Sequence, residues 1–581
     1  MTLRRGWPLA AVAVLAALAY GRAMVREPLG PYDAAAVRRM AGSWHDVVFG
    51  AFDPAGTVSL DKLPGAFWLQ ALSARLLGVH TWALVLPQVA EGVLTVLVLH
   101  RVVRRCAGRP AGLAAAAVLA ASPAVVALNR GSISGSLMIL LVVLAADAVV
   151  GALQDGRAWR LALAGVWIGL AFQATMIEAW LVLSALAVAV LVAAPGPLRR
   201  RIGGVAVGGV TTAVVSLLWM GAVRLVPVDA RPYADGSVTN SVFEQVLGYN
   251  GLARVGAQSP LQVLPGQGLD VAAGAPPGWD RLLTGDLGRD TGWLLPVALV
   301  AAVALLLSRR GEPRTDPVRA AVLLWGVWAV TLGVASSWAA TINGSYTAAL
   351  APAVAALCGI GAATAWAHRA EAPTRVAVVV AVLGAAVYGA ALLWESTAPA
   401  WLLPTLVAVS LAALVLVAVR VERVGLGVAA LAVLLVPATA SVSLVLHGYG
   451  AFDTPFESST AARGIHRLFV ATPARAARPL PALGKARAGA PDLPAGPSSA
   501  VTSVVSYPTA QEVLPIGGST GTQPVRRSTG GAPTSPAVRS TWYSRSRATT
   551  PAGLDRDAPP GGRRATPPLR SYYCLPADAT G

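Results

Sequence analysis

Apolar runs of about twenty residues recur along this chain as far as residue 447, and they constrain its fold more than any other feature. A bilayer's hydrocarbon core is about 30 Å thick, so a crossing helix needs about 20 mostly apolar residues. On that criterion the sequence predicts about 13 spans and an all-α polytopic membrane protein. The segments are Trp7–Met24, Thr81–Val103, Ala111–Leu128, Ser136–Leu153, Leu161–Met176, Trp180–Ala194 and Ile202–Leu225. After a second long loop come Trp293–Ser308, Val318–Ser337, Tyr346–Trp366, Val376–Trp394, Trp401–Val419 and Val424–Leu446. The first could also serve as a signal peptide; an uncleaved span is favoured because so many spans follow. Composition agrees: 13% of residues are charged, about half the share usual for soluble domains.

The arginines set a direction. Arg101, Arg104, Arg105 and Arg109, then Arg157 and Arg160, Arg199–Arg201, Arg309, Arg310 and Arg314, Arg369 and Arg375, and Arg420 and Arg423 all follow even-numbered spans. They share a side with Arg4 and Arg5. Basic loops favour the cytoplasm, so the N-terminus is expected inside. The loops 25–80 and 226–292 and the tail 448–581 are then expected outside. The net charge of +18 follows from these clusters, which form no continuous basic face, so nucleic acid is not an expected partner. The tail is rich in Pro, Gly, Ser and Arg and is expected to be largely flexible, with a small structured part near 503–522. Cys106, Cys358 and Cys574 fall in a loop, a span and the tail, and form no disulfide framework or metal cluster.

The first outer loop concentrates polar chemistry: Tyr32, Asp33, Arg38, Arg39, Trp44, His45, Asp46, Asp53, Asp61 and Lys62. A segment after it, Phe67–Leu77, carries Trp68, Leu69, Leu72 and Leu76 on one side and suits the membrane interface. A loop of about 40 residues is usually functional or disordered, and its aromatic residues argue against disorder. Glu91 and Asp147 are acidic groups within predicted spans; Glu91 is as readily a structural partner as a site. Tyr249, Asn250 and Gly251 read equally well as cavity residues or as an Asn-Gly turn. Asn343-Gly344-Ser345 fits a glycosylation sequon and is read as loop chemistry. No P-loop, dinucleotide fingerprint, CxxC or HExxH is present.

Phe52–Gly78, FDPAGTVSLDKLPGAFWLQALSARLLG, resembles the first outer loop of the glycosyltransferase family 39 superfamily. These are GT-C membrane enzymes that include protein O-mannosyltransferases and bacterial aminoarabinose transferases. The likeness continues through Arg231–Gly256 and Ser345–Ala362, and thinly at Val513–Val525. It implies transfer of a sugar, with mannose the expected one, from a polyprenyl-phosphate donor to a hydroxyl of a protein, lipid or glycan acceptor outside the membrane. It implies a catalytic carboxylate among Asp61, Asp53 and Asp33, and a donor-phosphate contact at Lys62. Asn129, Arg130, Glu178, Tyr249 and Asn250 are candidates for substrate binding. A divalent cation, Mg or Mn, is admitted at Asp61. Leu63, Gly135, Thr175 and Asn343–Tyr346 depart from the family pattern. These departures motivate a second hypothesis, a degenerate lipid-glycan binding or scaffold protein. A flippase ranks third, because the spans hold few ionisable residues.

Overall fold

The computed structural model describes residues 3–22, 30–54, 56–252, 276–339, 342 and 344–457, together with 495–496, 502–503, 506–507 and 514–515. Among these residues eight helices are long and apolar enough to cross a membrane, and three shorter apolar helices accompany them. The protein is a multi-pass, all-helical membrane protein, and its predicted apolar runs fall on helices. Asn343 and most of the tail lie outside the described residues, as does the greater part of 503–522.

The first apolar helix is α1 (Leu3–Gly21). The outer loop then folds as α2 (Pro31–Gly42), α3 (Trp44–Phe49) and α4 (Gly65–Leu77). On α4, Phe67, Gln70, Ala71 and Ala74 are buried while Leu69, Leu72 and Leu76 are exposed. That apolar outer face suits the membrane interface expected of it.

The expected second and third spans are both present as helices: α5 (Thr81–Ala120) is two helices joined across a kink at Gly108, whose φ of 85° lies in the left-handed region. Only glycine adopts that φ without a Cβ penalty, and Pro110 sits two residues on. The expected third span ends early. The chain leaves α5 at Ala120, and Ser122 starts a separate short helix, α6 (Pro123–Leu128), with proline in its first turn.

Then follow α7 (Gly135–Asp155), α8 (Ala158–Thr175), α9 (Ile177–Trp180), α10 (Leu183–Ala193) and α11 (Leu198–Arg224). The second loop contains a π-helical stretch, Glu244–Leu252. Beyond it lie α12 (Gly285–Thr291), α13 (Leu295–Ser308), α14 (Pro317–Trp338), α15 (Gly344–Thr347) and α16 (Ala351–Ala367). The last three are α17 (Ala372–Trp394), α18 (Leu402–Ala418) and α19 (Glu422–His447).

Helix α16 packs along α5, α11 and α7 pack along α8, and α18 lies against α19. Gly359 of α16 lies against Ala111 and Ala115 of α5, and Gly165 of α8 against Gly208 of α11, as expected where helices associate by close approach in lipid. Helix α11 is mostly exposed, with Val210, Val214 and Leu218 on its outer face, which suits contact with acyl chains. The arginines of one side are anchored. Arg105 Nη1 donates to Asp147 Oδ1 at 2.9 Å, Arg101 pairs with the same carboxylate, and Arg160 Nε reaches Asp155 Oδ2 at 2.8 Å. Asp147 therefore serves as a structural partner. Residues 448–457 dock on the loop before α18, where Thr397 Oγ1 donates to Glu457 O at 2.7 Å. Part of the tail docks too: Arg38 Nη1 donates to Tyr507 O at 3.0 Å. Ala495–Gly496 pairs in parallel with Leu514–Pro515.

Candidate active site

The two outer loops hold each other by backbone and amide bonds. Ser59 N–H donates to Tyr233 O at 2.9 Å, and Tyr233 N–H donates to Thr57 O at 2.8 Å. Gln245 Nε2 donates to Leu60 O at 2.6 Å and to Asp235 O at 2.8 Å. Asn250 Nδ2 donates to Asp61 O at 2.6 Å and to Gln245 O at 3.1 Å. The π-helical stretch thus brings two side-chain amides onto consecutive carbonyls, Leu60 and Asp61. π-bulged segments are found frequently at functional sites.

The residue these bonds position is Lys62. Its Nζ lies 3.2 Å from Asp33 Oδ1 and 3.6 Å from Asp61 Oδ1. It also sits 5.5 Å from the ring centre of Tyr32 and 6.0 Å from that of Phe67, within cation–π range. Tyr32 OH accepts the Asp61 N–H at 2.8 Å, and its ring stacks on Phe52 at 4.8 Å. Asp33 and Asp61 are both buried, while about a fifth of the Lys62 side chain remains exposed.

Burial opposes the lysine's charge, but Asp33, Asp61 and Tyr346 outweigh it and hold its pKa above the ordinary value. Burial raises the pKa of Asp33; Lys62 offsets part of this, and Asp61 adds to it. Burial, then the charges of Asp61 and Asp235, push the Tyr32 phenol well above its ordinary value, so it stays protonated. The arrangement is a charged donor held between two carboxylates, one of which has an elevated proton affinity.

Other expected site residues lie elsewhere. Asp53 is fully buried within its own turn, where Oδ2 accepts from Thr57 Oγ1 at 2.7 Å and Oδ1 from Val58 N–H at 2.8 Å. Burial raises its pKa against those two bonds. It shapes the loop that ends at Asp61. Arg130 is also fully buried, and it donates from Nε to Tyr449 O at 2.8 Å and from Nη1 to Ala19 O. It ties the end of α1 to the end of α19. Asn129 donates to Val125 O at 2.8 Å and packs against Gly92. Glu178 is half-buried on α9. Tyr249 lays its ring against Gly236, and Asn250 fixes the Asp61 backbone.

Asp235 was not singled out from the sequence, and Tyr346 only within a departure from the family pattern, yet both act electrostatically on the pair formed by Tyr32 and Lys62. Asp235 lies inside the matching stretch Arg231–Gly256, and that membership was the signal available. Among the described residues no group of three or more His, Cys, Asp or Glu side chains is arranged to hold a metal ion. At Asp61 the ammonium of Lys62 already supplies the positive charge. The residues there do not fit a divalent cation, and no step is routed through one.

Residues 61–219 match the dolichyl-phosphate-mannose-protein mannosyltransferase family. This stretch begins at Asp61 and runs through the helices that enclose the loop. Over those residues the chain is similar to that family's domain. YycA of Bacillus subtilis (strain 168), provisionally named a mannosyltransferase, is 28% identical over 404 residues, 57% of this chain and 59% of that protein. YkcB of the same organism, named in the same way, is 33% identical over 233 residues, 40% of this chain and 32% of that protein. The chain therefore spans less than two thirds of the length of these relatives. Among solved structures, ArnT from Cupriavidus metallidurans bound to undecaprenyl phosphate superposes with a TM-score of 0.51 at 18% identity. The match covers 88% of this chain and 86% of that one, and it shows the shared GT-C fold.

Proposed function

We propose that the protein transfers a sugar, mannose by its relatives' names, from a polyprenyl-phosphate donor to an acceptor hydroxyl on the outer side of a cell membrane. The observation that carries this reading is Lys62 held between Asp33 and Asp61. A partly exposed ammonium is suited to the donor phosphate, because charge-assisted bonds to phosphate oxygens are among the strongest available. In the transfer, the acceptor oxygen attacks the anomeric carbon and the sugar–phosphate bond breaks. Its electrons leave on the polyprenyl phosphate, whose growing charge Lys62 meets. The acceptor proton goes to a carboxylate base. Asp33 suits that role because its proton affinity is raised toward the working pH. Asp61 lies beside it as the alternative.

The orientation, with this loop outside and the arginine clusters inside, follows from the charge alternation. The test is transfer from a radiolabelled polyprenyl-phosphate sugar by membranes carrying the protein. Lys62→Ala is expected to weaken donor use about 100-fold, and Asp33→Asn and Asp61→Asn each to lower turnover by about 100-fold or more. Unchanged transfer in all three variants would remove the site.

A second reading, a lipid-glycan binding protein without turnover, draws on the structural commitment of Asp53 and Arg130. Saturable polyprenyl-phosphate binding with no sugar release, across a panel of acceptors, would favour it.

A further inference from the structure

The loop between α16 and α17 and the turn between α18 and α19 meet on the side that carries the arginine clusters. Arg375 Nη1 of the first lies 3.9 Å from Glu422 Oε1 of the second. Between them opens a cleft with about 230 Å³ of empty space, solvent at its mouth included. Arg369, Arg375, Glu422 and Thr374 line its polar part, and Val378, Val417 and Leu426 form an apolar wall. The helices that frame it are packed together through Val382, Ala413, Ala429 and Ala432.

The two guanidinium groups of the cleft are half-buried and little used. Arg369 Nη1 donates to Trp366 O at 2.9 Å, and its guanidinium sits 5.9 Å from the ring centre of Trp366, within cation–π range. Arg375 Nη1 donates to Ala370 O at 3.2 Å. At 3.9 Å its contact with Glu422 is an ion pair but too long for a hydrogen bond. A guanidinium carries five N–H donors, so most of theirs remain to be satisfied from outside the protein. Elsewhere on this side arginines are spent on partners: Arg101 and Arg105 on Asp147, and Arg160 on Asp155.

The charge around the cleft is in surplus. Glu371 is engaged by His368, whose Nδ1 lies 2.8 Å from its Oε1. Arg420 and Arg423 flank Glu422 in sequence and are exposed. Four arginines therefore stand against two glutamates. Beside these charges the surface is apolar: Val376 is 62% exposed, Val419 61% and Val424 55%. A soluble anion would gain nothing from such a surface, whereas acyl chains would cover it.

We propose that this cleft binds the headgroup phosphate of an anionic phospholipid, with its acyl chains along the exposed valines. The phosphate oxygens accept the unspent guanidinium donors, a geometry that arginine favours because its fork matches two oxygens at once. The Thr374 hydroxyl supplies a further donor. Glu422 competes with the phosphate for Arg375. Basic clefts between spanning helices recognise lipid headgroups by this same combination of charge and apolar surface. The site shares no residue with the lysine site and does not depend on sugar transfer.

The test is native mass spectrometry of the detergent-purified full chain, titrated with phosphatidylglycerol, phosphatidylcholine or glycerol 3-phosphate. Phosphatidylglycerol is expected to bind saturably, about tenfold or more tighter than either of the others. Arg369→Ala combined with Arg375→Ala is expected to remove that preference. Arg310→Ala, at an exposed arginine of another loop on the same side, is expected to keep it. Glu422→Gln removes the competitor and is expected to tighten binding by about threefold, a gain that misfolding cannot produce. Equal affinity for the two lipids, a preference that survives the double substitution, or no gain in Glu422→Gln would overturn the proposal. Glycerol 3-phosphate binding as tightly as the lipid would overturn it in favour of a soluble phosphate.

Discussion

Asn250 directs its amide to the carbonyl of Asp61 and so acts on the site through the backbone. Asn250→Ala leaves that buried carbonyl without its side-chain donor, a loss of about 1–3 kcal/mol. The expected outcome is a lower melting temperature in detergent together with weaker donor binding. Asn250→Asp is expected to be worse, because it sets an acceptor against two acceptors. Asp53 behaves differently. Asp53→Asn keeps an acceptor for Val58 N–H and is expected to lower stability by about 1 kcal/mol while sparing the chemistry of Lys62. Measured turnover near wild type with a lower melting temperature would separate the turn residue from the site residues. Residue types alone did not distinguish them: Asp53 and Asp61 are aspartates of the same loop eight residues apart, and only the fold shows which carboxylate is consumed by its own turn.

At the scale of elements, the membrane helices were legible because lipid leaves little choice of pattern. The apolar runs had to be helical, since every backbone group within the bilayer must find an internal partner. The break in α5 was legible and its tightness was not. Thr81–Val103 and Ala111–Leu128 read as two spans separated by an arginine loop, and the chain makes that break at a single glycine. Gly108→Ala puts a Cβ into a left-handed conformation and is expected to cost about 1–2 kcal/mol, read as a shifted thermal transition. The register between the outer loops was not legible at all. Pairing of 57–61 with 233–250 depends on isolated bridges and side-chain amides, which leave no periodicity in either segment. Gln245 carried no signal of its role. Arg130 looked like a ligand group because arginines near an outer loop often are; its burial between the ends of α1 and α19 shows a strut instead.

Across the whole molecule, groups distant in the chain meet outside the helical bundle, and their protonation links stability to pH. Asp453 and Glu457 have raised pKa values in the fold, so the folded state binds more protons than the unfolded chain above pH 4. Their contribution is fully present below about pH 4 and is lost as pH rises through about 6 and about 8. Thermal melts of the purified protein are expected to show stability falling from pH 4.5 to 8.5. Glu457→Gln should flatten the upper part of that slope, and a slope unchanged by the substitution would contradict the assignment.

Lys62 enters its reaction already engaged. Its ammonium is shared by Asp33 and Asp61, so an arriving phosphate cannot simply add a contact; it must take the lysine from those partners. Asp33 then loses a cation and gains an anionic neighbour, and its affinity for a proton rises further. Donor binding should therefore draw protons from solution, and donor affinity should weaken as the pH climbs through the Asp33 titration. Calorimetry in two buffers of different ionisation enthalpy would read that uptake directly. Solvent protons then compete with the acceptor's proton for Asp33, so the lysine and its two carboxylates set opposing pH demands, low for seating the leaving group and high for keeping the base ionised.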